Sequence, residues 1–256
     1  MNLARSPSAM PARGAEPRLH PGASTAVPSN VAYRLGKLER RGIVEGQWLD
    51  CGCADGGYAI GLAERGAAHV TGVDVLPERL EEARRRASGR PRLSFHVAES
   101  EHLPFADESF DGVLLNEVLE HVAGESKTLA EIHRVLRPGG HLALFSPNRW
   151  FPFEGHGLVV RGRSFGFPVP WIPWLPEYLT GRYLLARNYW PGQLQRLVVE
   201  AGFAIEDQRS VFPVLEVYPW LPGPAIRAFR RLVPYLERIA FVRRLGVSTY
   251  ILARRP

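Results

Sequence analysis

The residues best placed to do chemistry lie between Gln47 and Asp74: Asp50, then Gly52, Ala54, Gly56 and Gly57, and finally an acid, Asp74, 18 positions after Gly56. Trp48 and Leu49 end a short apolar run, Tyr58 to Arg65 reads as a helix, and His69 to Val73 reads as a second short strand. In such a strand-turn-helix-strand unit the glycines let the backbone approach a ligand and the helix N-terminus opens onto it. An acid at the end of the next strand can then hold two ribose hydroxyls. The chemistry served is the binding of a nucleoside-bearing cofactor.

Two cofactor classes fit a turn of this kind, and Asp50 discriminates between them. Gly52, Ala54 and Gly57 roughly match the dinucleotide fingerprint of nicotinamide dehydrogenases. An acid directly before the turn, however, repels a pyrophosphate and attracts an ammonium. S-adenosylmethionine carries such an ammonium and no phosphate. A nicotinamide-dependent oxidoreductase would also need a hydride-transfer acid such as a Tyr and Lys pair at helical spacing, and none is expected beside Lys37 or Lys127, the two lysines of the chain.

At Asp50 to Gly56, DCGCADG, the chain resembles the class I S-adenosylmethionine-dependent methyltransferases, whose first motif is usually acid-x-Gly-x-Gly-x-Gly. Ala54 stands where the middle glycine is common, adding one methyl where the backbone passes the cofactor. The resemblance continues in AESEHLPFADESFDGVLLNEVLEHV, Ala98 to Val122, and in RVLRPGGHLALFSPN, Arg134 to Asn148, which are similar to the subfamily that includes quinone and small-molecule methyltransferases. It implies an α/β fold with a doubly wound, Rossmann-like sheet of seven mostly parallel strands, the last antiparallel, and a substrate cap after the fifth strand. It also implies a cofactor site formed by Asp50, Gly52, Ala54, Gly56, Asp74, Val75, Glu99, Ser100 and Asn116, with Glu99 aligned to the acid that bonds the adenine amino group.

Phe110 to Leu115 has the length of a fourth strand, and ligands in open α/β sheets bind at the carboxyl ends of strands, so Asn116 and Glu117 should face the reaction site. Methyl transfer from a sulfonium needs no nucleophilic residue. The protein contributes alignment and exclusion of water, and alignment alone can be worth roughly 7 to 11 kcal/mol. A hydroxyl acceptor gains from a base, and His121 and His156 are the candidates by position. Glu117, Glu120 and His121 are spaced by three and four, which is one face if the segment is helical. Quinone O-methyltransferases with a similar string can hold a divalent cation there, so the resemblance makes these three the candidate metal ligands.

The elements that must position these groups can be read along the chain. Residues 1–30 hold five prolines and little apolar content, and read as a disordered tail ahead of a single domain, 31–256. Val31, Leu35 and Leu38 recur at helical spacing after Ser29 and predict a helix over the pocket entrance. Further helices are expected at Glu78 to Ala87, Ser126 to Leu136 and Gly192 to Ala201, and strands at Leu93 to Val97, His141 to Phe145, Phe203 to Val211 and Tyr250 to Ala253. Leu103 to Phe105 would line the pocket floor.

Residues 148–190 carry eleven aromatics and five prolines, so they read as an acceptor-cap insertion without regular helix or central strand. A second insertion, 212–245, carries apolar residues at helical spacing from Ile226 to Val242 opposite Arg227, Arg230, Arg231 and Arg238, with a kink expected at Pro234.

Composition narrows the partners. The 256 residues are 45% hydrophobic and carry a net charge of +6. No basic run interleaved with aromatics suggests a nucleic-acid track. Arginine-rich surface beside many aromatics suits a hydrophobic small-molecule or lipid-like acceptor, with peripheral contact to an anionic membrane. Cys51 and Cys53, one residue apart, make neither a disulfide nor a complete zinc site, and a cytoplasmic location is expected.

Overall fold

The computed structural model describes residues 26–160, 163–165, 169–181, 183–212 and 222–256. α1 (Pro28–Glu39) leads into β1 (Gln47–Cys51), α2 (Gly57–Glu64), β2 (His69–Asp74), α3 (Pro77–Arg86), β3 (Leu93–Val97), β4 (Phe110–Asn116), α4 (Glu125–Val135) and β5 (Leu136–Pro147). The insertion follows, with β6 (Phe153–Glu154), β7 (Leu158–Val160), β8 (Arg163–Phe165), β9 (Val169–Pro170), a 3-10 turn at Ile172–Trp174, and α5 (Glu177–Thr180). The chain closes with α6 (Pro191–Glu200), β10 (Ala204–Val211), α7 (Gly223–Leu236), α8 (Ala240–Arg244) and β11 (Ser248–Arg254).

Seven strands form one sheet in the order β10-β11-β5-β4-β1-β2-β3. β1 to β5 run parallel, and β11 lies antiparallel between β5 and β10. Because helices cover both faces, the central strands are apolar on both sides, and consecutive residues serve different cores. Trp48, Leu114, Phe145 and Tyr250 point to the face covered by α1, α2 and α3, whereas Leu49, Leu115, Leu144 and Ile251 point to the face covered by α4 and α6. Cys51 and Cys53 are free and buried, one in each core. The strand order reverses between β1 and β4, so a crevice opens at the carboxyl ends of those two strands, and it places the site.

Several boundaries differ from the sequence reading. Of the tail expected over residues 1–30, residues 1–25 lie outside the described residues, while α1 begins at Pro28 and Asn30 is already buried in it. A proline at the first helical position costs no hydrogen bond, which moves the start upstream of Ser29. β5 begins at Leu136, five residues early, because Leu136 already pairs with Phe110 before the Pro138-Gly139-Gly140 irregularity. Residues 148–190 add the short β6–β9 and β7–β8 pairs, which stand outside the main sheet, and Phe167 and Pro168 lie outside the described residues. Leu103 packs into the core beneath α4, with Phe105 against it. The expected Ile226 to Val242 helix is two helices: α7 continues through Pro234 to Leu236, and the break falls at residues 237–239. Residues 213–221 of the second insertion are outside the described set.

Candidate active site

The turn after β1 is built around one carboxylate. Asp74, at the end of β2 and 5% exposed, accepts the Ala54 amide at 2.9 Å on one oxygen and the Leu76 amide at 3.0 Å on the other. It therefore ties together the two turns that flank the crevice, and a carboxylate with about four acceptor sites retains capacity for two ribose hydroxyls. The Gly52 and Cys53 amides both donate to the Val73 carbonyl at 2.8 Å, pinning the start of the turn. Gly52 has φ +82, and a Cβ there would meet Val118 at 2.3 Å, so its missing side chain admits the β4 loop. Ala54 also has positive φ, +46, a conformation that costs a non-glycine residue about 1 to 2 kcal/mol. Gly56 caps α2 with φ +78.

Asp50 is fully buried, and its Oδ2 has no hydrogen-bond partner. Burial pushes its carboxyl up to about 7, an effect that Asp74 and Asp55 reinforce. A buried carboxylate lacking a counter-charge fits the ammonium of S-adenosylmethionine. Asn116 is buried at the end of β4. The other expected cofactor residues sit at the rim: Val75 is exposed, Ser100 is hydrogen-bonded through its hydroxyl to Thr128 on α4, and the Glu99 side chain is 74% exposed, opposite His102.

The EVLEH segment is a turn, which changes the expected grouping. Glu117 has φ +56, so it does not share a helical face with Glu120 and His121. Its carboxylate instead turns toward Arg34 of α1 at 2.8 Å and Ser248 of β11 at 2.5 Å. Arg34 is buried and also donates to Asn30, Asn116 at 2.6 Å and Ser248 at 3.0 Å. Burial alone would raise the Glu117 carboxyl, but Arg34 and Ser248 more than offset it and hold it below the usual range. Arg34 thus latches α1 to the carboxyl ends of β4 and the start of β11. Sequence reasoning passed over it, although its place beside Leu35 and Leu38 on the buried face of α1 was the available signal.

Glu120, His121 and His156 converge where Glu117 was expected. One ligand atom from each lies within 4.8 Å of the others. Glu120 is buried, with Oε2 accepting the Ser146 hydroxyl at 2.9 Å and Oε1 without a partner, 3.9 Å from His121 Nε2 and 3.8 Å from His156 Nε2. Burial and the Glu117 charge push the Glu120 carboxyl well above the usual carboxylate range. Burial and the neighbouring His156 lower His121 to about 4, which keeps it neutral and weakly basic.

His156 behaves differently. Burial would lower it, but Glu154, whose Oε1 lies 3.4 Å from His156 Nδ1, more than offsets this and the net shift is upward. Asn188 holds the other Glu154 oxygen at 2.6 Å. Neither Glu154 nor Asn188 was singled out from sequence, because both act through a histidine in a segment whose folding was not legible. Of the aromatics in residues 148–190, Tyr189 is core: it is buried and hydrogen-bonds Leu119 and Glu125.

One sequence expectation about the rival cofactor fails. A Tyr and Lys pair at helical spacing does exist, Tyr33 and Lys37 on α1, but the Tyr33 hydroxyl is bound to Glu237 at 2.5 Å and Lys37 lies over the Tyr33 ring. The pair fastens α1 to the end of α7.

With this geometry in place, comparison with known proteins is direct. Residues 49–144 match the family model of a methyltransferase domain. The demethylmenaquinone methyltransferase of Symbiobacterium thermophilum is 33% identical over 176 residues, which cover 62% of this chain and 68% of that one. Methyltransferase GfsG of Streptomyces halstedii is 41% identical over 192 residues, 73% of this chain and 62% of that one. The structure of an S-adenosylmethionine-dependent methyltransferase from Mesorhizobium loti shares the fold, with a TM-score of 0.59 at 21% identity over 87% of this chain and 98% of that one. The chain belongs to the class I S-adenosylmethionine-dependent methyltransferases, and S-adenosylmethionine is its cofactor.

Proposed function

We propose that this methyltransferase methylates a hydroxyl oxygen of a hydrophobic small molecule and that His156 takes the hydroxyl proton. The cofactor supplies a methyl group already activated by the sulfonium charge. The chain's residues then have three tasks: Asp50 and Asp74 orient the cofactor, the insertion orients the acceptor, and a base accepts the proton released as the O–C bond forms and the C–S bond breaks. The observation that carries this reading is the Glu154–His156 pair. Glu154 faces Nδ1 and raises the basicity of the ring, leaving Nε2 turned toward Glu120 and His121 beside the carboxyl ends of β4 and β5. General-base help of this kind is worth about two to four decades in rate.

Acceptor class is supported by the insertion surface. Trp150, Phe153, Trp171, Trp174 and Tyr178 are exposed there, and each aromatic buried against a ligand can contribute roughly 1.5 to 3 kcal/mol. The name of the Symbiobacterium relative, which specifies a quinone, points the same way. The test is turnover against a panel of hydroxylated quinones and aromatic polyketides beside sugars and amino acids. Methylation confined to polar acceptors would refute the reading.

A second reading has its own observation. The two Nε2 atoms and the Glu120 oxygen without a partner form a set that can hold a divalent cation, with Glu154 3.4 Å from the other ring nitrogen of His156. Unlike the Glu117, Glu120 and His121 set expected from sequence, it draws a ligand from the insertion. A metal there would acidify the acceptor hydroxyl in place of the base. Turnover that survives chelation favours the base, and turnover restored only by added magnesium or zinc favours the metal.

Membrane contact is part of the same proposal. α7 presents Leu232 and Tyr235 outward, with Ile239 and Phe241 beyond it and arginines on the adjacent flank. No helix among the described residues is long and apolar enough to cross a membrane. Flotation with anionic liposomes at low salt, lost at high salt, is the expected behaviour.

A further inference from the structure

A cavity of about 220 Å³ lies between the N-terminus of α6, the C-terminal end of α8 and the β10–β11 pair, outside the cofactor crevice. Its walls include Arg209, Arg243, Arg244, Ser210, Thr249 and Trp150, with no carboxylate among the described residues that line it. Arg243 and Arg244 form no ion pair with a described residue, while Arg209 shares Asp207 with Arg41, leaving two positive charges on one negative. Thr249 is 1% exposed, and its Oγ1 has no hydrogen-bond partner. A buried hydroxyl left unsatisfied is costly and rare, so its position beside unpaired guanidinium groups marks a place where an acceptor-rich ligand would complete the hydrogen bonding.

The pocket is also held in shape. Asn148 is buried at the root of the insertion and donates from Nδ2 to the Arg244 carbonyl at 2.8 Å and the Gly246 carbonyl at 2.7 Å, which fixes the end of α8 against the sheet. Gln208 donates to the Pro191 carbonyl at 3.0 Å and closes the α6 side. α6, ten residues long, begins without a side-chain cap, so its positive end remains uncompensated. Thr249 is the direct cross-strand partner of Ser146, the residue that holds Glu120. The cavity is therefore one strand away from the cluster around His156.

We propose that this cavity is an oxyanion site that takes a phosphate group, with Arg243 and Arg244 supplying charge and Thr249 donating its hydroxyl. Binding does not depend on the hydroxyl-methylation reading. Its role does rest on that reading: a phosphate carried by the acceptor would be seated one strand away from the proton-accepting histidine.

The test is calorimetry of the full chain with inorganic pyrophosphate at physiological salt, with a parallel arm using vesicles that contain phosphatidylglycerol. Wild-type protein should bind pyrophosphate saturably. Thr249→Val should weaken that binding roughly tenfold, and the Arg243→Gln/Arg244→Gln double variant about a hundredfold. S-adenosylmethionine affinity should stay unchanged in both, which certifies the fold without using turnover. Absence of saturable pyrophosphate binding overturns the proposal. So does equal binding by Thr249→Val, which would reduce the arginines to general basic surface. Binding to vesicles alone, without pyrophosphate binding, also overturns it and assigns these arginines to lipid contact.

Discussion

The carboxyl ends of β1 and β2 and the region around residues 148–190 handle charge in opposite ways. Around the cofactor crevice charges are few and fixed by backbone: Asp74 is held by two amides, and Asp50 is buried with an oxygen left open for a cationic partner. Around the insertion, side chains hold side chains: Glu154 acts on His156, Asn188 on Glu154, and Ser146 on Glu120. The first arrangement is set by local chain geometry. The second depends on contacts between segments 26 to 34 residues apart.

Breaking the latch should have the largest effect. Arg34→Met leaves Glu117 buried without its counter-charge, and a loss of about 3 to 5 kcal/mol of stability is expected in denaturant unfolding. Adding Glu117→Gln to that variant should recover part of the loss, and a double variant no more stable than Arg34→Met would show that Arg34 acts by packing alone.

Next comes Asp74→Asn, which should weaken S-adenosylmethionine binding by roughly 1.5 to 3 kcal/mol, read by calorimetry, through loss of charge-assisted hydrogen bonds. Unchanged affinity in a folded variant would remove Asp74 from the site.

A smaller effect is expected from pH. The Asp50 carboxyl titrates at about 7 in the free protein because of burial, and only its ionised form attracts an ammonium. Cofactor affinity should therefore be full above that value and fall as pH drops below it, by about tenfold per unit. Asp50→Asn should flatten this dependence. A wild-type affinity constant between pH 8 and pH 6 would place the ammonium elsewhere.

The smallest effect is at Ala54. Glycine accepts the φ of +46 without strain, so Ala54→Gly should add about 1 kcal/mol of stability. A loss instead would mean that the unfolded-state entropy of glycine outweighs the relief.

The same division explains what the sequence made legible. β1 to β4 are short apolar runs punctuated by Gly, Pro and Asp, and Asp50, Asp74 and Asn116 lie at strand ends, where period and turn chemistry place residues directly. Glu117 was assigned to a helical face because spacing says nothing about a residue that adopts positive φ. Arg34 and Ser248 were missed for a related reason: their partner Glu117 lies 83 and 131 residues away, so the contacts follow from tertiary packing, while Glu154 was missed because the local fold around it was not legible. The α7–α8 break was likewise invisible, since the apolar spacing continues across it.

The central claim is that the two regions divide the work, one binding the cofactor and the other moving the proton. It is tested most directly by measuring S-adenosylmethionine affinity and kcat together in His156→Gln, with wild type and His121→Gln beside it. The account predicts an unchanged cofactor Kd, a kcat lowered by about two to four decades, and loss of the rising limb of the pH-rate profile, which in wild type should lie above the ordinary histidine value of about 6.5 because Glu154 raises His156. His121→Gln should keep that limb. A His156→Gln enzyme with wild-type kcat, or one in which Kd and kcat collapse together, would contradict the account.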